Sequence, residues 1–280
     1  MISAFLTYCE KERHLAPRTI KDYKATFRKL GPIMELKTYR VFADAIVKLT
    51  EAKGWADPTR YKHLSNASEY FSFCVREGRM KPEDNPLQNG HDFPKNTKHR
   101  IEFFDWADPQ FKKLFMNPHI SIRIKCILHV LKSSGIRASE LCSLKIKNVQ
   151  GRWIEIENGK GGDPRTAPID EETRYWLGHY IECLKAHYEG EWLFPREDYS
   201  GPMTTSNLGK ILTRMGKKAG LHIYPHKFRH SLAGELIDKG CDIAVAAAVL
   251  GHKDIRTTQI YTHFRKPQIL QKYDDALKDL

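Results

Sequence analysis

Five short stretches between Gly135 and His263 of this 280-residue chain carry its most reactive combination of side chains. Gly135-Ile136-Arg137-Ala138-Ser139-Glu140-Leu141 sets an arginine three residues ahead of a glutamate, and Gly159-Lys160-Gly161 sets a lysine between two glycines. His226-Lys227-Phe228-Arg229-His230, Leu250-Gly251-His252 and Thr257-Thr258-Gln259-Ile260-Tyr261-Thr262-His263 complete the series. Breaking a phosphodiester without a metal needs a nucleophile, cations against the developing pentavalent charge, and an acid for the leaving oxygen. Tyr261 is the candidate nucleophile. Arg137 and Arg229 suit the non-bridging oxygens, because a guanidinium is planar, permanently charged and presents a fork of donors. Glu140, one helical turn beyond Arg137, is placed to hold that arginine or its neighbours by a hydrogen bond. His226 and His230 also have the i, i+4 spacing of a zinc pair, but Lys227 stands where a His-Glu-x-x-His site carries its general base. His230 is therefore read as a residue that packs the helix or supports a catalytic neighbour by a hydrogen bond, outside the catalytic set, and neither a metal nor any other cofactor is expected.

The elements that must position these groups follow from apolar periodicity. Residues 2–78 repeat apolar side chains at three- and four-residue spacing: Phe5, Leu6 and Cys9; Ile20, Tyr23, Phe27 and Leu30; Phe42, Ile46 and Leu49; Leu64, Ala67, Phe71 and Val75. Four helices are predicted, with Pro17 and Pro58 at the starts of the second and fourth, and Gly78 ending the last. Between Met80 and Arg100 prolines, asparagines and basic residues accumulate, which reads as an extended linker. Helices are expected again at 111–114 and 122–134. A β-hairpin is expected from the alternating run Arg152 to Glu157 and its return over 165–169, with three glycines in the turn. Further helices are predicted at 171–187, 205–219, 226–239, 243–250, 255–261 and 268–280. The uninterrupted apolar run 243–250 is read as a core helix.

The order and spacing of the five stretches, including the nine-position step from His252 to Tyr261, resemble the tyrosine recombinase (phage integrase) family. Leu250-Gly251-His252 followed by Thr257-Thr258-Gln259-Ile260-Tyr261-Thr262-His263 is similar to its Xer-like branch. The resemblance is strong over residues 127–264. It is looser in the N-terminal helices, where Ala16-Pro17-Arg18-Thr19-Ile20-Lys21-Asp22-Tyr23 looks like the start of the family's second core-binding helix. It implies a mainly α fold with a small β-sheet, arranged as a two-domain DNA clamp: a SAM-like core-binding domain at 1–80, a linker at 81–101, and a catalytic domain at 102–280. It further implies a 3′-phosphotyrosyl intermediate at Tyr261 that conserves bond energy without ATP. Lys160 would act as general acid toward the leaving 5′ oxygen, His226 would assist proton transfer at the tyrosine, and His252 would hydrogen-bond the phosphate. Two departures stand out: Asp163 where the family often has a second basic residue, and Phe228 where a leucine is more usual. The implied partners are double-stranded DNA with inverted half-sites and further copies of the chain, monomeric in free solution and tetrameric in the synaptic complex, with room for accessory factors. The apolar positions Ile269, Leu270, Tyr273, Ala276 and Leu277 predict that the last helix docks on a neighbouring protomer.

Composition agrees with a polyanionic partner. The chain holds 46 Lys plus Arg against 34 Asp plus Glu, a net charge of +12, and each cation that neutralises a phosphate releases condensed counterions. Residues 1–100 carry 19 of those cations and 12 of the acids, so the shorter segment is the more basic. With 41% hydrophobic residues the chain has material for buried cores, which excludes disorder as its main description. The longest apolar run, eight residues, is far short of a membrane span of roughly 18 or more, and no signal peptide opens the chain, so the expected location is cytoplasmic and nucleoid-associated. Six scattered cysteines without a Cys-x-x-Cys pair fit reduced thiols. Two other readings remain: a type IB topoisomerase-like DNA-relaxing enzyme, and a DNA-binding protein that has lost activity. RNA binding has no RNP-like, KH or zinc-knuckle signature to support it.

Overall fold

The computed structural model describes residues 1–88, 102–157 and 164–251. The chain forms two compact units, Met1–Arg100 and Ile101–Leu280. The first contains four α-helices, α1 (Ile2–Lys11), α2 (Pro17–Leu30), α3 (Tyr39–Lys53) and α4 (Asp57–Arg76), as the periodicity predicts. Proline in the first turn of α2 and α4 fixes φ where no intrahelical N–H bond is needed. Phe5 is the hub of their core, meeting Tyr23, Phe27, Tyr70 and Phe73 edge-on at 5.1 to 5.8 Å between ring centroids. A buried polar knot lies between α2 and α4: His63 Nδ1 is 2.9 Å from Thr26 Oγ1, Asn66 donates to the same oxygen, and His63 Nε2 is 3.3 Å from Lys29 Nζ. Trp55 packs over the His63 ring. Residues 81–88 differ from the extended linker expected there. They form a 3-10 turn at Pro82–Asp84 and bury Leu87 in the core of the first unit; removing a leucine side chain from water stabilises by about 1.5–3 kcal/mol, which composition-based reading of a Pro- and Asn-rich stretch does not register. Residues 89–101 lie outside the described residues.

The second unit is built on α5 (Pro109–Met116), α6 (Ile122–Ser134), α7 (Ala138–Cys142), strands β1 (Val149–Gln150), β2 (Trp153–Ile156) and β3 (Arg165–Pro168), then α8 (Glu171–Lys185), α9 (Thr205–Ala219), α10 (Pro225–Asp238) and α11 (Ile243–Leu250). The fold is mainly helical with a small sheet. Its centre is α6, in which every residue from Cys126 to Leu131 is buried; α8, α10 and β3 pack around it. Helix starts use side-chain caps, with Asp108, Asp170, Thr204 and Asp242 each accepting a main-chain N–H. The sheet has one strand more than the predicted hairpin. It is antiparallel in the order β1-β2-β3, and β1 is too short for alternation to reveal it.

The run 243–250 is a helix, but only one face of it is core: Ala246, Ala247 and Leu250 are buried while Ala244, Val245 and Ala248 are exposed. A uniformly apolar sequence has no moment to tell one face from the other. No described helix is long and apolar enough to cross a membrane.

Candidate active site

The site is organised by the C-terminal end of α11. A helix leaves its last carbonyls without intrahelical partners and concentrates partial negative charge there. Gly251 stops α11 in the left-handed region at φ +66°. Three successive carbonyls then receive three different guanidinium groups. Arg165 Nη1 donates to Val249 O at 2.9 Å, Arg229 Nη2 to Leu250 O at 2.5 Å, and Arg137 Nη2 to Gly251 O at 2.9 Å. The three arginines come from β3, α10 and the residue that caps α7, so distant parts of the second unit converge on the three residues that precede His252.

Each arginine is anchored a second time. Arg229, 5% exposed, also donates through Nη1 to Gly135 O at 3.0 Å, and so ties the C-terminal end of α6 to that of α11. The two ends approach so closely that a Cβ on Gly135, itself at φ +56°, would lie 2.9 Å from Leu250 Cδ2. Arg137 and Arg165 share Glu140. One carboxylate oxygen accepts from Arg137 Nη1 at 2.6 Å; the other accepts from the Arg137 main-chain N–H at 2.9 Å and from Arg165 Nη2 at 2.8 Å. Burial pushes the Glu140 carboxyl up, but the Arg137 main-chain bond and the charges of Arg165 and Arg137 outweigh it and hold the group below the usual carboxylate range. Three guanidinium charges meet one carboxylate among the described residues, an excess of positive charge in a partly desolvated place, which suits an anion.

The sequence-derived set divides as follows. Arg137, Glu140 and Arg229 are brought together. His226 lies in the first turn of α10, exposed, with its ring centroid 6.2 Å from that of His230. Burial, followed by the charges of His226 and Arg229, pushes the His230 imidazole below its ordinary pKa. No three His, Cys, Asp or Glu side chains cluster as metal ligands among the described residues. Lys160, which belongs to the connection between β2 and β3, and His252 and Tyr261 lie outside the described residues. Arg165 is absent from the sequence-derived set. A signal for it exists: β3 pairs Ile156 with Arg165 and Ile154 with Ala167, so period-2 alternation puts a guanidinium on the same face as three buried apolar residues.

The segment 102–106 braces α10 beside His226 and Arg229. Glu102 pairs with Lys227 at 3.4 Å, Phe104 N donates to Ser231 Oγ at 2.7 Å, and Ser231 Oγ donates to Lys227 O at 2.8 Å. Phe104, Trp106 and Phe111 surround the fully buried Phe228.

The profile of the phage integrase family matches residues 108–267, which include every candidate from Arg137 to Tyr261. The chain belongs to the phage integrase family. Family relatives align over nearly its whole length. It is 30% identical to the tyrosine recombinase XerC of Bacillus subtilis (strain 168), covering 97% of this chain and 94% of that protein, and 29% identical to XerC of Salmonella typhi, covering 98% and 94%. Solved phage-integrase-type folds align as well. A crystal structure of XerA recombinase has TM-score 0.54 and 25% identity, covering 98% of this chain and 97% of that one. The Tn1549 transposon integrase in complex with transposon right end DNA has TM-score 0.75 and 17% identity, covering 99% of both chains.

Proposed function

We propose that this phage integrase family member is a site-specific DNA recombinase that cuts and rejoins duplex DNA through a 3′-phosphotyrosyl intermediate. The observation that carries the reading is the convergence of Arg137 and Arg229 on the carbonyls of Gly251 and Leu250, immediately before His252. Donors fixed in advance stabilise a developing oxyanion without reorganising during the reaction. In this reading Arg137 and Arg229 take the non-bridging oxygens of the scissile phosphate, and His252 hydrogen-bonds the same group. The Tyr261 hydroxyl attacks phosphorus, with His226 assisting removal of its proton, while Lys160 protonates the leaving 5′ oxygen. The bond energy is kept in the tyrosyl phosphodiester. A 5′ hydroxyl from a second duplex attacks that ester, the tyrosine leaves, and strands are exchanged; neither ATP nor a metal enters these steps.

The N-terminal helical unit, extended through residue 88 by the burial of Leu87, and the catalytic domain, 102–280, both contact the duplex, joined by residues 89–101. Two protomers occupy inverted half-sites and four form the synaptic complex, with residues 268–280 docking on the neighbouring copy. The B. subtilis and S. typhi relatives carry the name tyrosine recombinase, and the Tn1549 integrase was solved on transposon DNA, which supports DNA as the partner. A two-site plasmid tests the reading against a DNA-relaxing enzyme. Recombinant products dependent on both sites are expected; relaxation without recombinants would overturn it.

A further inference from the structure

We infer that Arg165 is a positioning residue of the recombinase site, acting on the scissile phosphate through Arg137 and the end of α11; this rests on the catalytic reading given above. Arg165 opens β3 with its side chain only 12% exposed, and nothing about a short edge strand requires a buried cation there. Its two terminal nitrogens go to two different targets: Nη2 to the same Glu140 oxygen that accepts the Arg137 main-chain N–H, and Nη1 to Val249 O in the last turn of α11. One planar fork therefore sets the distance between the carboxylate that aims Arg137 and the helix end that leads into His252. A lysine has one nitrogen and cannot reproduce that span.

Gly251 is the residue that leaves room for this packing. A Cβ there would overlap Arg165 Cδ and Nε, and the residue sits at φ +66°. The glycine is needed both for its backbone conformation and for the guanidinium stem lying against it. Gly251 O is in turn the acceptor for Arg137 Nη2. Displacing Arg165 should then release Glu140, Arg137 and the Val249–Gly251 carbonyls together, while leaving residues that grip the rest of the duplex in place.

The test uses the full chain with a nicked suicide duplex built from DNA flanking its gene. It measures single-turnover formation of the covalent adduct at saturating protein, half-site affinity, and the folded fraction at assay temperature. For Arg165→Ala and Arg165→Lys, adduct formation should slow about 10- to 100-fold, the size expected for losing a charge-assisted anchor, while half-site affinity stays within about threefold of wild type. Arg165→Lys keeps the charge, so it should remain folded without recovering the rate. Gly251→Ala should show the same division between rate and affinity although it removes no charge. Wild-type rates in a folded Arg165→Lys protein would overturn the proposal, as would rate and affinity falling in parallel with the folded fraction. Absence of any adduct from the wild-type chain would instead overturn the recombinase reading on which the proposal rests.

Discussion

Arg137 and Gly251, 114 positions apart, are joined by a 2.9 Å hydrogen bond from the guanidinium Nη2 to the main-chain oxygen. This bond links the first of the five reactive stretches to the fourth. Glu140 holds the other terminal nitrogen of Arg137, so the guanidinium plane is defined by a carboxylate on one side and a helix end on the other. The orientation of Arg137 and the position of the α11 end are thus one geometric problem with one solution.

Phe228 should matter for stability more than its place between catalytic candidates suggests. It is fully buried, with ring centroids 4.8 Å from Phe104 and 6.1 Å from Phe111. Phe228→Ala should cost about 3–5 kcal/mol in denaturant unfolding, and Phe228→Leu under about 1.5 kcal/mol, because leucine leaves a smaller cavity than alanine does. Equal losses in the two variants would show that the aromatic cluster does not fill this space.

The polar knot of the N-terminal unit should make stability fall in mild acid. Burial, then the charges of Lys29 and Lys62, push the His63 imidazole below its ordinary value, with Asp22 opposing. Thr26, Asn66 and Trp55 complete its surroundings. The unfolded chain then binds a proton near pH 6.5 while the folded one resists it, so stability present above about pH 6.5 is lost as the pH drops toward the folded value. His129 and His230 are shifted the same way and contribute to the same slope. Unfolding midpoints at pH 7.5 and 5.5 should differ less in His63→Gln than in wild type; an unchanged difference would exclude His63 as a contributor.

Much of this arrangement is legible in the sequence, for reasons specific to each element. The N-terminal helices announce themselves because Phe5, Ile20, Tyr23, Phe27, Phe42, Ile46, Leu64 and Phe71 fall on single faces and all are buried. Arg137, Glu140 and Arg229 are legible because a guanidinium next to a carboxylate at one-turn spacing, and another beside histidines, are unusual combinations. Arg165 is harder to see. Its role depends on a strand pairing of four residues and on a carbonyl 84 positions away, and no local pattern encodes a long-range acceptor. The face of α11 is hidden for the opposite reason: eight apolar residues in succession fit any orientation. Helices expected at 255–261 and 268–280 lie outside the described residues.

The basic surplus should separate from the chemistry in its salt dependence. Neutralising Lys95 or Lys98 in the linker is expected to reduce the slope of log affinity against log salt by about one for each phosphate that the variant no longer neutralises. Adduct formation at saturating protein should be little altered. A slope unchanged in both variants would remove the linker from the DNA interface.

In the proposed reaction Tyr261 becomes covalently joined to DNA. The most direct measurement incubates the chain with a nicked suicide duplex from its own flanking DNA, digests the product and maps the DNA-linked peptide by mass. An adduct on Tyr261 that disappears in Tyr261→Phe, with DNA binding nearly intact, is the predicted result. An adduct on another residue, or one that persists in Tyr261→Phe, would contradict the account.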